Sequence, residues 1–463
     1  MSIQTTTTHG TFAGELIDVG HPDYDTVRKL YNGVHDRRPA LIARCTSAVD
    51  VVHALALARE QDLVVAVRGG GHSIPGYSSC DGGLVIDVGP IKSVEIDVER
   101  RIGRFGAGLT WGEFDAATQT HGLAVTGGRV THTGIAGLTL GSGSGWLERK
   151  CGITCDSLVS VEVVTANGRI LHASADENPE LFWGLKGGGG NFGVVTEFEF
   201  RLQTIGPIVY GGMILHPRAA ATELLRFYRD FIADAPDEVC GGVSLLTAPP
   251  EDFLPDVARG KPAVGLILLY AGDPQEGERV LRPLVEWGEP WLAMVQPMPY
   301  IAVQQFVDPA HPWGISEYSK SDYLVDLPDE AIDALVAKVA EAGSPFTGLH
   351  LCPLGGALAR ADRSTMALEV PNTRWYYMCE ALWMDPTFAP HEIAWARDLM
   401  ATLRPWSVAK APPNFIAGDE GAERLRASYG EEKYRRLVAL KDTYDPENVF
   451  ALNQNIPPSS QGA

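Results

Sequence analysis

The run Val-Val-Ala-Val-Arg-Gly-Gly-Gly-His-Ser, residues 64–73, joins a short β-branched apolar segment to three glycines and an imidazole. Glycine has no Cβ and tolerates positive φ, so such a backbone can turn tightly and bring its N–H groups against a bulky anion such as a pyrophosphate. His72 is then held at that ligand's edge. A second loop, residues 133–146, carries five glycines in fourteen positions, and beside the first triplet it predicts two facing backbone surfaces. A third, Gly188-Gly189-Gly190-Asn191-Phe192-Gly193, meets the letter of the dinucleotide fingerprint G-x-G-x-x-G. Its context argues against a nicotinamide-binding Rossmann unit: residues 194–200 read as a strand where that unit has a helix, and no acid about 20 residues on fits. Cys151 and Cys155 lack a second Cys or His pair at ligand spacing, so they read as packing residues and no metal site is expected.

These loops need strands and helices to hold them. Residues 46–50 offer a capping signal, and Val52, Leu55 and Ala56 recur at helical spacing up to Gln61-Asp62, which predicts a helix feeding the strand at 63–67. Short strands are expected at 83–88 and 94–98, and a longer one at 196–202, where Phe198, Phe200 and Leu202 alternate with charged residues. From about residue 206 the pattern becomes that of a second α+β unit, with helical period at 219–232 and 329–342 and β-like runs at 263–270 and 374–383. A last helix is expected at 431–442, stopped by Asp445-Pro446.

The chain has 463 residues, enough for two or three full-sized cores. Its 38 basic against 58 acidic residues give a net charge of −20, which repels nucleic acid and anionic membrane surfaces and favours a small-molecule partner. No window reaches the ~20 apolar residues of a membrane span. The first ten residues lack the basic and apolar regions of a secretory leader, and seven cysteines are too few for a disulfide scaffold, so a cytoplasmic location is expected.

Four stretches, in order, carry a resemblance: Arg68-Gly69-Gly70-Gly71-His72-Ser73; Gly127-Gly128 followed by Thr133-Gly134 and by Gly141, Gly143 and Gly145; residues 181–196, from Leu181-Phe182-Trp183-Gly184 through Gly193-Val194-Val195-Thr196; and the closing pattern of Tyr434, Leu437, Lys441, Tyr444-Asp445-Pro446, Asn448, Phe450, Asn453 and Asn455-Ile456. Together they resemble the FAD-linked oxidases of the vanillyl-alcohol-oxidase superfamily, with its PCMH-type FAD-binding domain, and within it the berberine-bridge-enzyme-like branch. The resemblance implies an α+β protein: a two-lobed FAD-binding domain from 1–205, completed by 411–463, and a substrate domain at 206–410 with an antiparallel sheet covered by helices. It implies extended FAD joined covalently through its 8α-methyl to His72. Cofactor contacts are expected from residues 68–73, Gly76, Tyr77, Thr133, Gly134, Gly137, Leu138, Gly141, Gly143, Gly145, Gly193, Val194, Val195, Asn453 and Asn455.

Some members of the branch carry a second link from a cysteine four residues before the position of Gly134. This chain has Val130 there, and neither Arg129 nor Thr131 can form a thioether, so a single attachment is expected. The segment 374–383 resembles the strand that crosses the flavin's substrate face, and alternation puts Tyr376, Met378 and Glu380 on one side. Tyr376 as a phenolate, or Glu380 as a carboxylate, is the expected catalytic base. Plant members usually carry tyrosines where this chain has Ser144 and Asn414-Phe415, and Tyr77 is a weaker candidate. Thr133 occupies the position associated with oxygen access. The branch favours an oxidase that passes electrons from a small organic substrate (an alcohol, sugar, phenol or secondary metabolite) to O2. A dehydrogenase with another acceptor and a non-catalytic flavin-binding protein remain as alternatives.

Overall fold

Ser47 caps the helix Ala48–Glu60, its Oγ accepting from the Asp50 N–H. A turn at Gln61-Asp62 then feeds the strand Val65–Arg68. The computed structural model describes residues 6, 7 and 10–461, so nearly all of the stretch considered for a leader lies outside the described residues.

Three sheets position the loops. In the first, of four strands, Leu84–Asp87 lies between Val65–Arg68 and Leu41–Arg44, parallel to both, and Glu15–Asp18 closes the far edge antiparallel. The second is an antiparallel sheet of five strands, in the order Ile170–Ser174, Leu158–Val164, Val194–Arg201, Ile102–Gly106, Val94–Asp97. It supplies Phe105, Phe198 and Phe200 to the core: Phe105 and Phe200 meet Phe114 of the helix Trp111–Gln119, the Phe105 and Phe114 ring centroids 4.2 Å apart, and Phe198 stacks on Phe200. One apolar core spans both sheets and takes in Leu437, Leu440, Phe450 and Ile456 from the chain's end.

The third sheet has seven antiparallel strands, with Trp375–Trp383 between Gly348–Pro353 and Ser316–Leu324. Helices Ala221–Asp234, Pro274–Val285, Asp329–Val339 and Ala389–Leu403 cover one face, burying Trp375, Tyr377, Cys379, Ala381 and Trp383 beneath them. The period of two then turns Tyr376, Met378 and Glu380 to the other face, toward the glycine loops. Among the described residues, no helix is long and apolar enough to cross a membrane.

The tail is tied down by a buried ion pair. Helix Glu431–Tyr444 presents Lys441, whose Nζ donates to Asp445 Oδ2 at 2.6 Å and to the Asn191 and Phe450 carbonyls at 3.0 and 3.1 Å. Both Asp445 oxygens also accept backbone N–H groups, from Val449 and Phe450. Removing one partner of a buried pair strands the other, at about 3–5 kcal/mol. Lys441→Met is therefore expected to lower the thermal midpoint by several degrees and to raise hydrogen exchange at 445–456. An unchanged midpoint in scanning calorimetry would refute this role.

Candidate active site

Strand Val65–Arg68 delivers the first glycine loop, and the chain turns at Gly71, whose φ is +71°. Gly70 meets the second loop backbone to backbone. A Cβ on Gly70 would lie 2.2 Å from the Gly134 nitrogen, and one on Gly134 would lie 2.3 Å from the Gly70 nitrogen. The two facing surfaces expected from the sequence are in direct contact. The third loop, around Gly189 and Gly190, joins them and continues into strand Val194–Arg201, the extended continuation that sets it apart from a Rossmann turn.

A cavity of about 310 Å³ opens where the three loops meet the bare face of the third sheet. Of the residues expected to hold cofactor, its wall contains 69–73, Tyr77, Thr133, Gly134, Gly137, Leu138, Gly141, 193–195 and Asn453. Five others stand behind it, for identifiable reasons. Arg68 is committed to Asp87 at 2.7 Å and to the Val27 carbonyl. The His35 ring fills the space beside Gly76. Gly143, at φ +80°, packs on Thr154, and Gly145 packs on the Gly127 carbonyl. Asn455 is absent from the wall, and its Oδ1 is buried without a partner among the described residues.

The cavity side of the sheet brings Met378 and Glu380 into the wall but not Tyr376. Tyr376 packs among Tyr323, Phe415 and Cys352, and burial pushes its phenol well above the usual range, so a phenolate base at this position is disfavoured. Glu380 lies between two imidazoles, 2.9 Å from His350 Nε2 and 3.5 Å from His311 Nε2. Burial alone would raise its pKa, but the two imidazoles outweigh burial and hold the carboxylate well below the usual range. The reciprocal effect overcomes the burial of His311, which is raised to about 9. His350 Nδ1 meets Ser244 Oγ at 2.6 Å, and His311 Nδ1 donates to the Val307 carbonyl at 2.8 Å. Glu317, also in the wall, is pushed up to about 7 by burial, and the Ser319 hydroxyl donates to it at 2.6 Å.

His72 stacks on Tyr31, with ring centroids 4.1 Å apart and 10° between planes, and its Nε2 lies 2.7 Å from His132 Nδ1. Val130, Ser144, Asn414 and Phe415 line the wall at the positions where the branch has a cysteine or tyrosines. Arg129 also lines the wall, its guanidinium 2.8 Å from Ser144 Oγ and 3.4 Å from Glu148 Oε1.

His132, His311, His350 and Glu317 were not legible from sequence spacing. His350 alone carried a signal, lying between Leu349 and Leu351 on a strand that pairs it with Met378.

Overpacking a close contact costs about 1–3 kcal/mol. Gly70→Ala is expected to lower the thermal midpoint of the FAD-free protein, whereas Gly137→Ala, with open space around its Cβ, should leave it near wild type. Equal midpoints for Gly70→Ala and wild type would overturn the contact's role.

Comparison with known proteins agrees with this geometry. The FAD binding domain family matches residues 39–174, and the berberine and berberine-like family matches residues 413–457. The chain is 30% identical to (R)-6-hydroxynicotine oxidase of Paenarthrobacter nicotinovorans over 465 aligned residues, covering 96% of this chain and 97% of that protein. It is 28% identical to an FAD-linked oxidoreductase of Dictyostelium discoideum, over 96% of this chain and 95% of that one. Among solved structures, 6-hydroxy-D-nicotine oxidase from Arthrobacter nicotinovorans superposes with a TM-score of 0.86 at 27% identity, over 97% of this chain and 99% of the other. A Physcomitrella patens BBE-like protein shares the fold at a TM-score of 0.84 and 22% identity, over 95% and 96% of the two chains. The chain is an FAD-dependent oxidoreductase with the PCMH-type α+β fold, and it belongs to the berberine-bridge-enzyme-like family of FAD-linked oxidoreductases.

Proposed function

We propose that this enzyme is an oxidase: a C–H bond next to oxygen or nitrogen in a small organic substrate is oxidised by hydride transfer to FAD attached through His72 alone, and O2 takes the electron pair as hydrogen peroxide. The observation that carries the reading is one cavity bounded by three glycine loops, with His72, the sheet residues Glu380, His350 and Glu317, and His311 from a neighbouring turn all in its wall. The FAD-binding unit is taken as 1–205 with 411–463, and the substrate unit as 206–410.

The residues present fit the cofactor. The loops expose backbone rather than side chains, as a pyrophosphate requires. Asn453 Oδ1 is buried in the wall with no partner among the described residues, leaving an acceptor for a ligand donor. FAD, when bound, supplies the hydride acceptor. The chain supplies the proton traffic. Glu317, near 7, is the proposed proton acceptor, because a base poised near the operating pH balances availability against strength. Glu380, ionised, holds the His311 and His350 imidazoles toward the substrate. The small-molecule substrate class is extended from the (R)-6-hydroxynicotine oxidase relative, which leaves room for an amine or N-heterocycle beside an alcohol, sugar or phenol.

Mass spectrometry of the denatured protein should show one added FAD in wild type and none in His72→Ala; a retained increment in the variant would sink the attachment. Peroxide should form with substrate under air, whereas fast substrate bleaching with very slow reoxidation would favour a dehydrogenase. In anaerobic stopped flow, flavin reduction should rise with pH through about 7, as Glu317 loses its proton, and fall above about 9, as His311 loses its own. Glu317→Gln should slow reduction by about 10²-fold or more and abolish the acid limb. An acid limb that persists in Glu317→Gln would remove it as the base.

A further inference from the structure

His132 has no part in the substrate chemistry above, yet it makes the closest polar contact to His72. Its Nε2 lies 3.0 Å from the His311 carbonyl oxygen. A carbonyl oxygen only accepts, so Nε2 carries a hydrogen. In a neutral imidazole the other nitrogen is then an acceptor, and His132 Nδ1 faces His72 Nε2 at 2.7 Å. His72 Nε2 must therefore donate, which leaves the lone pair of His72 on Nδ1. Burial favours the neutral form of both rings, lowering His72 well below its ordinary value and His132 to a lesser degree. The rings are also fixed in orientation. Tyr31 stacks on His72, and Trp313 meets His72 edge-on at 6.1 Å and His132 at 5.8 Å.

We propose that His132 is the proton acceptor for covalent attachment of FAD to His72, and that the His311 carbonyl, by fixing the His132 tautomer, selects His72 Nδ1 as the attached atom. This rests on the covalent reading given above. The His72 Nδ1 lone pair forms the new bond to the 8α-carbon while one 8α C–H bond breaks, its proton leaving to solvent. The proton on His72 Nε2 passes to His132 Nδ1. The electron pair of the broken C–H bond remains on the flavin as a two-electron reduction, and O2 removes it as hydrogen peroxide. The imidazolium formed at His132 faces the His311 carbonyl and the Asp308 carboxylate, which accepts from Thr131 N and Oγ1 at 2.8 and 2.5 Å; the charged His311 ring opposes it.

The test uses the full chain, prepared without flavin from riboflavin-limited cells and mixed with FAD under air. Bound FAD is read by absorbance after gel filtration, and attached FAD by fluorescence and mass of the denatured protein. His132→Gln keeps a donor and an acceptor but cannot take a proton. It should bind FAD at the wild-type ratio and attach it at least about 100-fold more slowly, the scale of a lost general base. Attachment within about threefold of wild type would overturn the proposal. Loss of FAD binding altogether would also overturn it, because removing a proton acceptor leaves noncovalent binding intact. The histidyl-flavin peptide from wild type should carry the bond at Nδ1, and a bond at Nε2 would refute the tautomer argument. If wild type attaches no FAD, the covalent reading itself falls, an outcome distinct from any of these.

Discussion

Two backbones touching at Gly70 and Gly134 set the geometry of the whole cavity. Each loop is anchored from its far side. The first is held by the Val88 N–H on the Arg68 carbonyl at 2.9 Å, by the Tyr31 N–H on the Gly71 carbonyl at 3.2 Å, and by the Arg68–Asp87 pair. The second is held by the Trp111 N–H on the Thr133 carbonyl and the Ile135 N–H on the Leu109 carbonyl, both at 2.9 Å. Glycine in such places costs roughly 0.5–1 kcal/mol of chain entropy each, and the anchors offset it. What the contact gains is proximity: His72 and His132, sixty residues apart, are brought within hydrogen-bonding reach. Arg68 thus serves the cavity from behind by fixing the strand that carries His72.

The buried charges divide by how fully they are satisfied. Lys441 spends its three hydrogens on three acceptors, and Asp445 accepts on both oxygens, so that pair holds the tail against the third loop. Nothing in it is left for a ligand. Glu317 accepts from one hydroxyl and faces open space, and Glu380 depends on two imidazoles that also border the cavity. Burying carboxylates costs several kcal/mol of desolvation that apolar residues would avoid. A cluster kept at that cost, incompletely satisfied and facing a cavity, suits chemistry better than stability.

The sequence made the elements legible where periodicity was strong. The helix at 48–60, the strands at 84–87, 194–201 and 262–270, and the closing helix at 431–444 all lie close to where patterning puts them. The alternation of 375–383 also sorted Glu380 from Tyr377 correctly. It could not place Tyr376, because sharing a face with Glu380 does not fix how far along the strand the cavity extends. The histidines were hidden for a related reason. His311 follows a short 3-10 turn and His350 comes from a neighbouring strand, so their convergence on Glu380 depends on sheet register for one and tertiary packing for the other, which no local window contains.

Val130 bears on how the cofactor is held. The residue at the usual second link is aliphatic and packs beside Trp146, while the adjacent Arg129 guanidinium lies 5.0 Å from the Trp146 ring and is occupied by Ser144 and Glu148. Val130 cannot form a thioether at that edge, and the Arg129 guanidinium beside it is partly paired with Glu148. The loops around this edge present backbone surfaces, and these are rigid because glycine loops packed atom against atom cannot move independently. The charge felt by a substrate then comes from the facing sheet. Glu380 and His311 offset one another, and Glu317 adds a negative charge only above about 7, so the net charge bordering the cavity changes with pH near neutrality.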